Sequence, residues 1–149
     1  MRKTNQLAEI EISYNPKMEN TPTISSSDEA AGTLFKYYDK STIALQEQFV
    51  VMFLNRANKF LGIHQHSKGS MTGTAIDVKI IISIAIKIAA SGIIISHNHP
   101  SGNTTPSLSD KELTTKFKTA CEYFDITFLD HVILSPNGDY YSLKQEDNF

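Results

Sequence analysis

The chain is short of cysteine, of a surplus of either charge and of long apolar runs. A single cysteine, Cys121, stands among 149 residues. No intrachain disulfide can form, the fold does not lean on an oxidising compartment, and a reducing cytoplasm suits it. Lys plus Arg number 14 against 16 for Asp plus Glu, a net charge of −2. The basic excess that marks many nucleic-acid-binding domains is missing, which leaves a local basic patch as the route by which DNA could be held. The first residues carry charge without an apolar stretch and cleavage site behind it, so no secretory signal is expected. The most apolar run, residues 80–90, is too short to span a bilayer and contains Lys87, so no membrane partner is expected. Internal repeats and coiled-coil heptads are also missing.

What is present is ordinary for a globular protein: 40% apolar and 20% charged residues, in a length that suits one domain of about 150 residues. Residues 8–14 alternate, with Ile10, Ile12 and Tyr14 on one side, and predict an edge strand. Such a strand could pair with a second copy of the chain. Ser26 stands three residues before Glu29, a capping-box spacing that opens a helix running to about Tyr38. Residues 47–55 are nearly all apolar, as in a strand covered on both faces, and residues 60–68 return antiparallel after a turn. A small, polar Gly/Ser/Thr loop follows through residue 74. Asp77 opens a helix over residues 76–90 that Gly92 terminates. Residues 93–96 are a short strand that carries HNHPSGN at its C-terminal end. Leu113, Phe117, Ala120 and Phe124 recur at helical spacing over residues 107–124, and the tail reads as two strands joined by a turn at residues 136–138. The order predicts an α/β fold, a mixed sheet flanked by helices.

The chemistry concentrates at residues 97–110, HNHPSGNTTPSLSD. Side chains alternate along a strand, so His97 and His99 project to one face and form a ready pair of metal ligands. Asp110 follows on the first turn of the next helix, where the intervening Pro/Gly loop can fold its carboxylate back onto them. Two imidazoles, a carboxylate and a fourth position left to water make an open catalytic zinc site. Ser107 and Asp110 also have the spacing of a helix cap, and capping and ligation are compatible. His64 and His66 repeat the H-x-H spacing without a carboxylate-bearing loop behind them, and read as strand side chains near the surface. Cys121 lies mid-helix and reads as a small buried apolar residue.

The stretch resembles the JAMM motif, H-x-H, seven residues, then S-x-x-D. With HNHPSG and the later Leu129-Asp130-His131 the chain resembles the RadC branch of the JAB/MPN superfamily, from about Glu47 through Leu143. The resemblance implies a cytidine-deaminase-like fold with a mixed sheet sandwiched by helices. It divides the chain into an N-terminal strand and helix, residues 1–40, and a JAB/MPN domain, residues 41–149. It implies Zn²⁺ held by His97, His99 and Asp110, and hydrolysis of a peptide or isopeptide bond. Glu47, at the head of the first apolar strand, matches the glutamate that activates water in that family; on its own it also reads as a solvated strand-end acid. Ser107 matches the motif serine, whose hydroxyl or backbone stabilises an oxyanion. Asp130-His131 either supports the ligands or pairs strands.

RadC-like proteins carry a DNA-repair label, and fuller members resemble a two-part design with an N-terminal helix-hairpin-helix region. No such hairpin appears in the first forty residues, which weakens DNA and DNA-processing proteins as partners. Asp77-Val78-Lys79 also replaces a Pro-Arg-Glu-type run. Three functions follow as alternatives: a zinc peptidase or isopeptidase, favoured because the motif residues are intact; a DNA-binding or repair-associated module; and a metal-stabilised scaffold without turnover.

Overall fold

A computed structural model of the chain describes residues 8, 10–16, 19–69 and 76–147. Its elements run α1 (Ser27–Tyr37), β1 (Gln48–Leu54), β2 (Phe60–Lys68), α2 (Val78–Lys87), β3 (Gly92–Asn98), α3 (Leu108–Glu122), β4 (Thr127–Leu134), β5 (Tyr140–Ser142) and α4 (Leu143–Asp147). The strands form one sheet in the order β2-β1-β3-β4-β5. β1 is antiparallel to β2 and β3, β3 is parallel to β4, and β4 is antiparallel to β5. The expected mixed sheet with helices is therefore the architecture found.

Sequence dictates the layering. Every residue of β1 and of β3 is buried, because both strands lie inside the sheet with helices on each face. On one face Phe49, Val51 and Phe53 pack with Ile81, Ile82 and Ala85 of α2 and Phe117 and Cys121 of α3. On the other, Val50, Met52 and Leu54 pack with Ala30, Ala31 and Leu34 of α1. Asp77 caps α2 through the backbone N–H groups of Lys79 and Ile80, as its position predicts. Because β3 and β4 are parallel with α3 between them, both end at the same edge, where open α/β sheets place ligands.

Several local expectations are corrected. Residues 8 and 10–16 form no strand: Ile10 and Ile12 are 86% and 66% exposed, and alternation alone makes no ladder without a neighbour. Tyr14 still reaches the sheet, donating its hydroxyl to the Leu61 carbonyl. Ser26 caps α1 by accepting from Glu29 N–H, while the Glu29 carboxylate turns chiefly to the Ser25 N–H and hydroxyl rather than to the Ser26 N–H of a full capping box. The second helix stops at Lys87, with Ala89 at φ 52° in the turn. Gly92 instead opens β3, where a Cβ would meet Leu129 Cδ1 at 2.7 Å. Of the expected α3 stripe, Phe117 is buried and Leu113 and Ala120 pack partly buried against the core beside Thr114 and Cys121, but Phe124 is exposed beyond the helix end. α4 was not expected. The Gly/Ser/Thr loop lies outside the described residues beyond Gly69.

Candidate metal centre

β3 runs two residues further than expected, so His97 lies in its last turn of ladder and His99 directly beyond it. The His99 N–H bonds the Leu134 carbonyl, which holds the post-strand backbone to the end of β4. The chain then reverses over residues 99–102, closed by Gly102 N–H on the His99 carbonyl. Pro100 stands second in that turn, where its fixed φ is favourable, and Gly102 takes a φ of 86°. The reversal brings α3 to the site. Ser107 caps it, accepting from Asp110 N–H at 3.1 Å, while Asp110 Oδ2 accepts from Ser107 N–H at 2.7 Å. The full capping box orients Asp110, so capping and approach to the histidines do coexist.

Three side chains converge. His97 Nε2 and His99 Nε2 are 2.9 Å apart, and lie 3.2 Å and 3.6 Å from the two Asp110 carboxylate oxygens. Donor atoms at about 2.1 Å from a tetrahedral ion stand roughly 3.4 Å from one another, so these separations fit a single cation. His97, His99 and Asp110 are the group of potential ligands found among the described residues, their ligand atoms within 4.8 Å of one another.

The surroundings fix which nitrogens carry protons. The Thr114 hydroxyl donates to the Asp110 carbonyl at 2.8 Å and lies 2.7 Å from His131 Nδ1; with its proton committed, it accepts from His131 Nδ1–H. His131 is wholly buried, and desolvation followed by the His97 charge holds its pKa well below the ordinary value. It is neutral, so its Nε2 accepts from His97 Nδ1–H at 2.9 Å. His99 Nδ1 donates to the Asn103 carbonyl at 2.6 Å. Both Nε2 lone pairs therefore face Asp110, as metal-binding imidazoles require. Phe49 stacks along His97 and limits its rotation.

Two lone pairs and a carboxylate cannot share this space without positive charge. The His99 pKa is raised, chiefly by its hydrogen bond to Asp110 and against the opposing cost of burial. Burial pushes the Asp110 carboxyl up, but its interactions with the facing His97 and His99 imidazoles outweigh it and hold the group well below the usual carboxylate range.

Glu47 precedes β1. The β1–β3 register pairs Phe49 with His97, so Glu47 stands two residues before the strand position that faces the first ligand. Its charge is near enough to raise the His99 pKa. Ser107 Oγ accepts from Asp110 N–H, which leaves its proton for another acceptor. Asp130 and His131 separate to opposite faces: His131 supports His97, while Asp130 ties α1 and α4 to β4. His66 accepts from Asp77 N–H at the cap of α2, and His64 lies beside it. Thr114 and Asn98 carry much of the site's geometry and were missed. Thr114 had a signal, four residues from Asp110 on one helix face; Asn98 had none beyond its place between two histidines.

Among the described residues no helix is long and apolar enough to cross a membrane. The RadC-like JAB domain model matches residues 24–148. A UPF0758 protein of Flavobacterium johnsoniae is 44% identical over 103 residues, covering 69% of this chain and 44% of the relative. UPF0758 proteins of Actinobacillus pleuropneumoniae serotype 5b and Streptococcus gordonii are 41% and 42% identical over 101 and 103 residues, each covering 68% of this chain and 46% and 44% of the relative. The chain thus spans less than half the length of these relatives. With the match running from before α1 through α4, the chain belongs to the RadC-like JAB domain family.

Proposed function

We propose that the chain is a zinc-dependent hydrolase of amide bonds, acting on a peptide or isopeptide. The observation that carries the reading is the convergence of two imidazole lone pairs and a carboxylate, with the Glu47 charge close enough to act on His99. His97, His99 and Asp110 would hold the zinc, which when bound lowers the pKa of a coordinated water toward about 7 and polarises a carbonyl. The chain's own residues supply the rest. Glu47 accepts a proton from the attacking water and returns it to the leaving amine. The Ser107 hydroxyl, its lone pair engaged by Asp110 N–H, donates to the carbonyl oxygen as negative charge develops there. His131 and Asn103 keep the two ligand imidazoles in the tautomer that presents Nε2.

A peptide-library assay with zinc-loaded protein tests the reading. Glu47→Gln should lose at least roughly 100-fold in hydrolysis, in line with removal of a general base, while zinc content stays unchanged. Undiminished hydrolysis by that variant contradicts the role of Glu47. No hydrolysis by fully loaded wild type contradicts turnover and favours the metal-stabilised scaffold.

A further inference from the structure

The side chain between the two histidines points the other way. Asn98 follows His97 on the strand, so its amide leaves the face that carries the imidazoles, and it is completely buried. Its Oδ1 accepts from Gln48 N–H at 2.7 Å, and its Nδ2 donates to the Ile43 carbonyl at 2.7 Å and the Gln46 carbonyl at 3.0 Å. The Gln46 carbonyl belongs to the peptide unit before Glu47, and the Gln48 N–H to the unit after it. One amide therefore grips both peptide planes that flank the Glu47 Cα. The Glu47 carbonyl is held in turn by Gly69 N–H at 3.1 Å.

We infer that Asn98 is the positioning residue for Glu47: it fixes φ and ψ at position 47 and so aims the carboxylate at the site that His97 and His99 form from the opposite face of the same strand. The inference rests on the metal-hydrolase reading for the meaning of that aim, but the clamp itself is a matter of geometry. Only a primary amide meets the demand. The site presents one N–H and two carbonyls, so the side chain must accept once and donate twice. Aspartate keeps the acceptor and sets a negative charge against two carbonyl oxygens. Alanine and serine leave buried backbone groups unpaired. Because one short strand segment places ligands on one face and the clamp on the other, metal and proton acceptor are held in a single rigid frame.

Cobalt(II) serves as the probe. In the unaltered chain the Asn98 Nδ2 protons should exchange with solvent at least 100-fold more slowly than those of the exposed Asn103; equal rates overturn the clamp without any variant. Asn98→Ala should bind cobalt within threefold of wild type, since the ligands stay in place, while its visible absorption spectrum moves to that of Glu47→Gln. A wild-type spectrum in Asn98→Ala, alongside a changed one in Glu47→Gln, overturns the positioning role. If the unaltered chain takes up no cobalt, the metal-centre reading fails, a result separate from the exchange measurement that judges the clamp.

Discussion

Two aspartates twenty residues apart in sequence sit on opposite faces of the sheet and serve opposite ends. Asp130, 3% exposed, accepts from the hydroxyls of Ser27 and Ser142 and the backbone N–H groups of Lys144 and His131. Every partner is a donor, so the carboxylate is satisfied and closed. Asp110 takes one backbone N–H from Ser107 and otherwise faces two imidazole nitrogens whose own protons are committed elsewhere. Its partners face it as acceptors. A ring of donors makes a structural joint, whereas converging acceptors make a place for a cation. The direction of the hydrogen bonds distinguishes the two.

Breaking each carboxylate separates the two roles. Asp110→Asn keeps the shape of the cap and removes the charge, and should weaken zinc binding by at least roughly 100-fold while changing stability without zinc by less than Asp130→Ala does. Zinc competition with a chromophoric chelator and chemical denaturation read the two effects. Asp130→Ala should do the reverse, costing about 2–3 kcal/mol of stability because four donors lose their acceptor, with zinc affinity preserved. A stability loss confined to Asp110, or a metal loss confined to Asp130, would reverse the assignment.

Smaller changes sharpen the same contrast. Thr114→Val removes the hydroxyl that fixes the His131 tautomer, and should weaken zinc roughly tenfold, the lower end for such supporting partners, with a near-isosteric fit in the core. Proton release gives the finest test. His99 has a raised pKa, so at pH 6.5 it is protonated in a larger fraction of molecules than a free imidazole, and zinc must expel that proton. At pH 8.5 more of His99 is already neutral. Proton release on zinc loading, measured by calorimetry in buffers of different ionisation enthalpy, should therefore fall between pH 6.5 and 8.5.

Much of this was legible in the sequence because it is local. Helix caps at Ser26, Asp77 and Ser107, the strand that carries His97, and the turn before β5 each follow from residues within a few positions of one another. The ligand set was legible because one short stretch contains it. What failed depends on neighbours from elsewhere. The alternating residues 8–14 promised a strand, yet pairing needs a partner the pattern does not name. Gly92 looked like a helix terminator because glycine serves that end, when the constraint on it comes from Leu129. The Asn98 clamp joins residues 50–55 positions apart, and the Asp130 joint reaches to Ser27, 103 positions away. Neither leaves a periodic trace.

The central claim is that His97, His99 and Asp110 form a metal centre, and elemental analysis tests it most directly. Protein purified without chelator, or reloaded with zinc and desalted, should hold about one zinc per chain, the stoichiometry of a single three-ligand site, and the His97→Ala/His99→Ala variant should hold none. Equal metal in both proteins, or none in either after zinc is supplied, would contradict it and leave Ser107 and Asp110 as a helix cap alone.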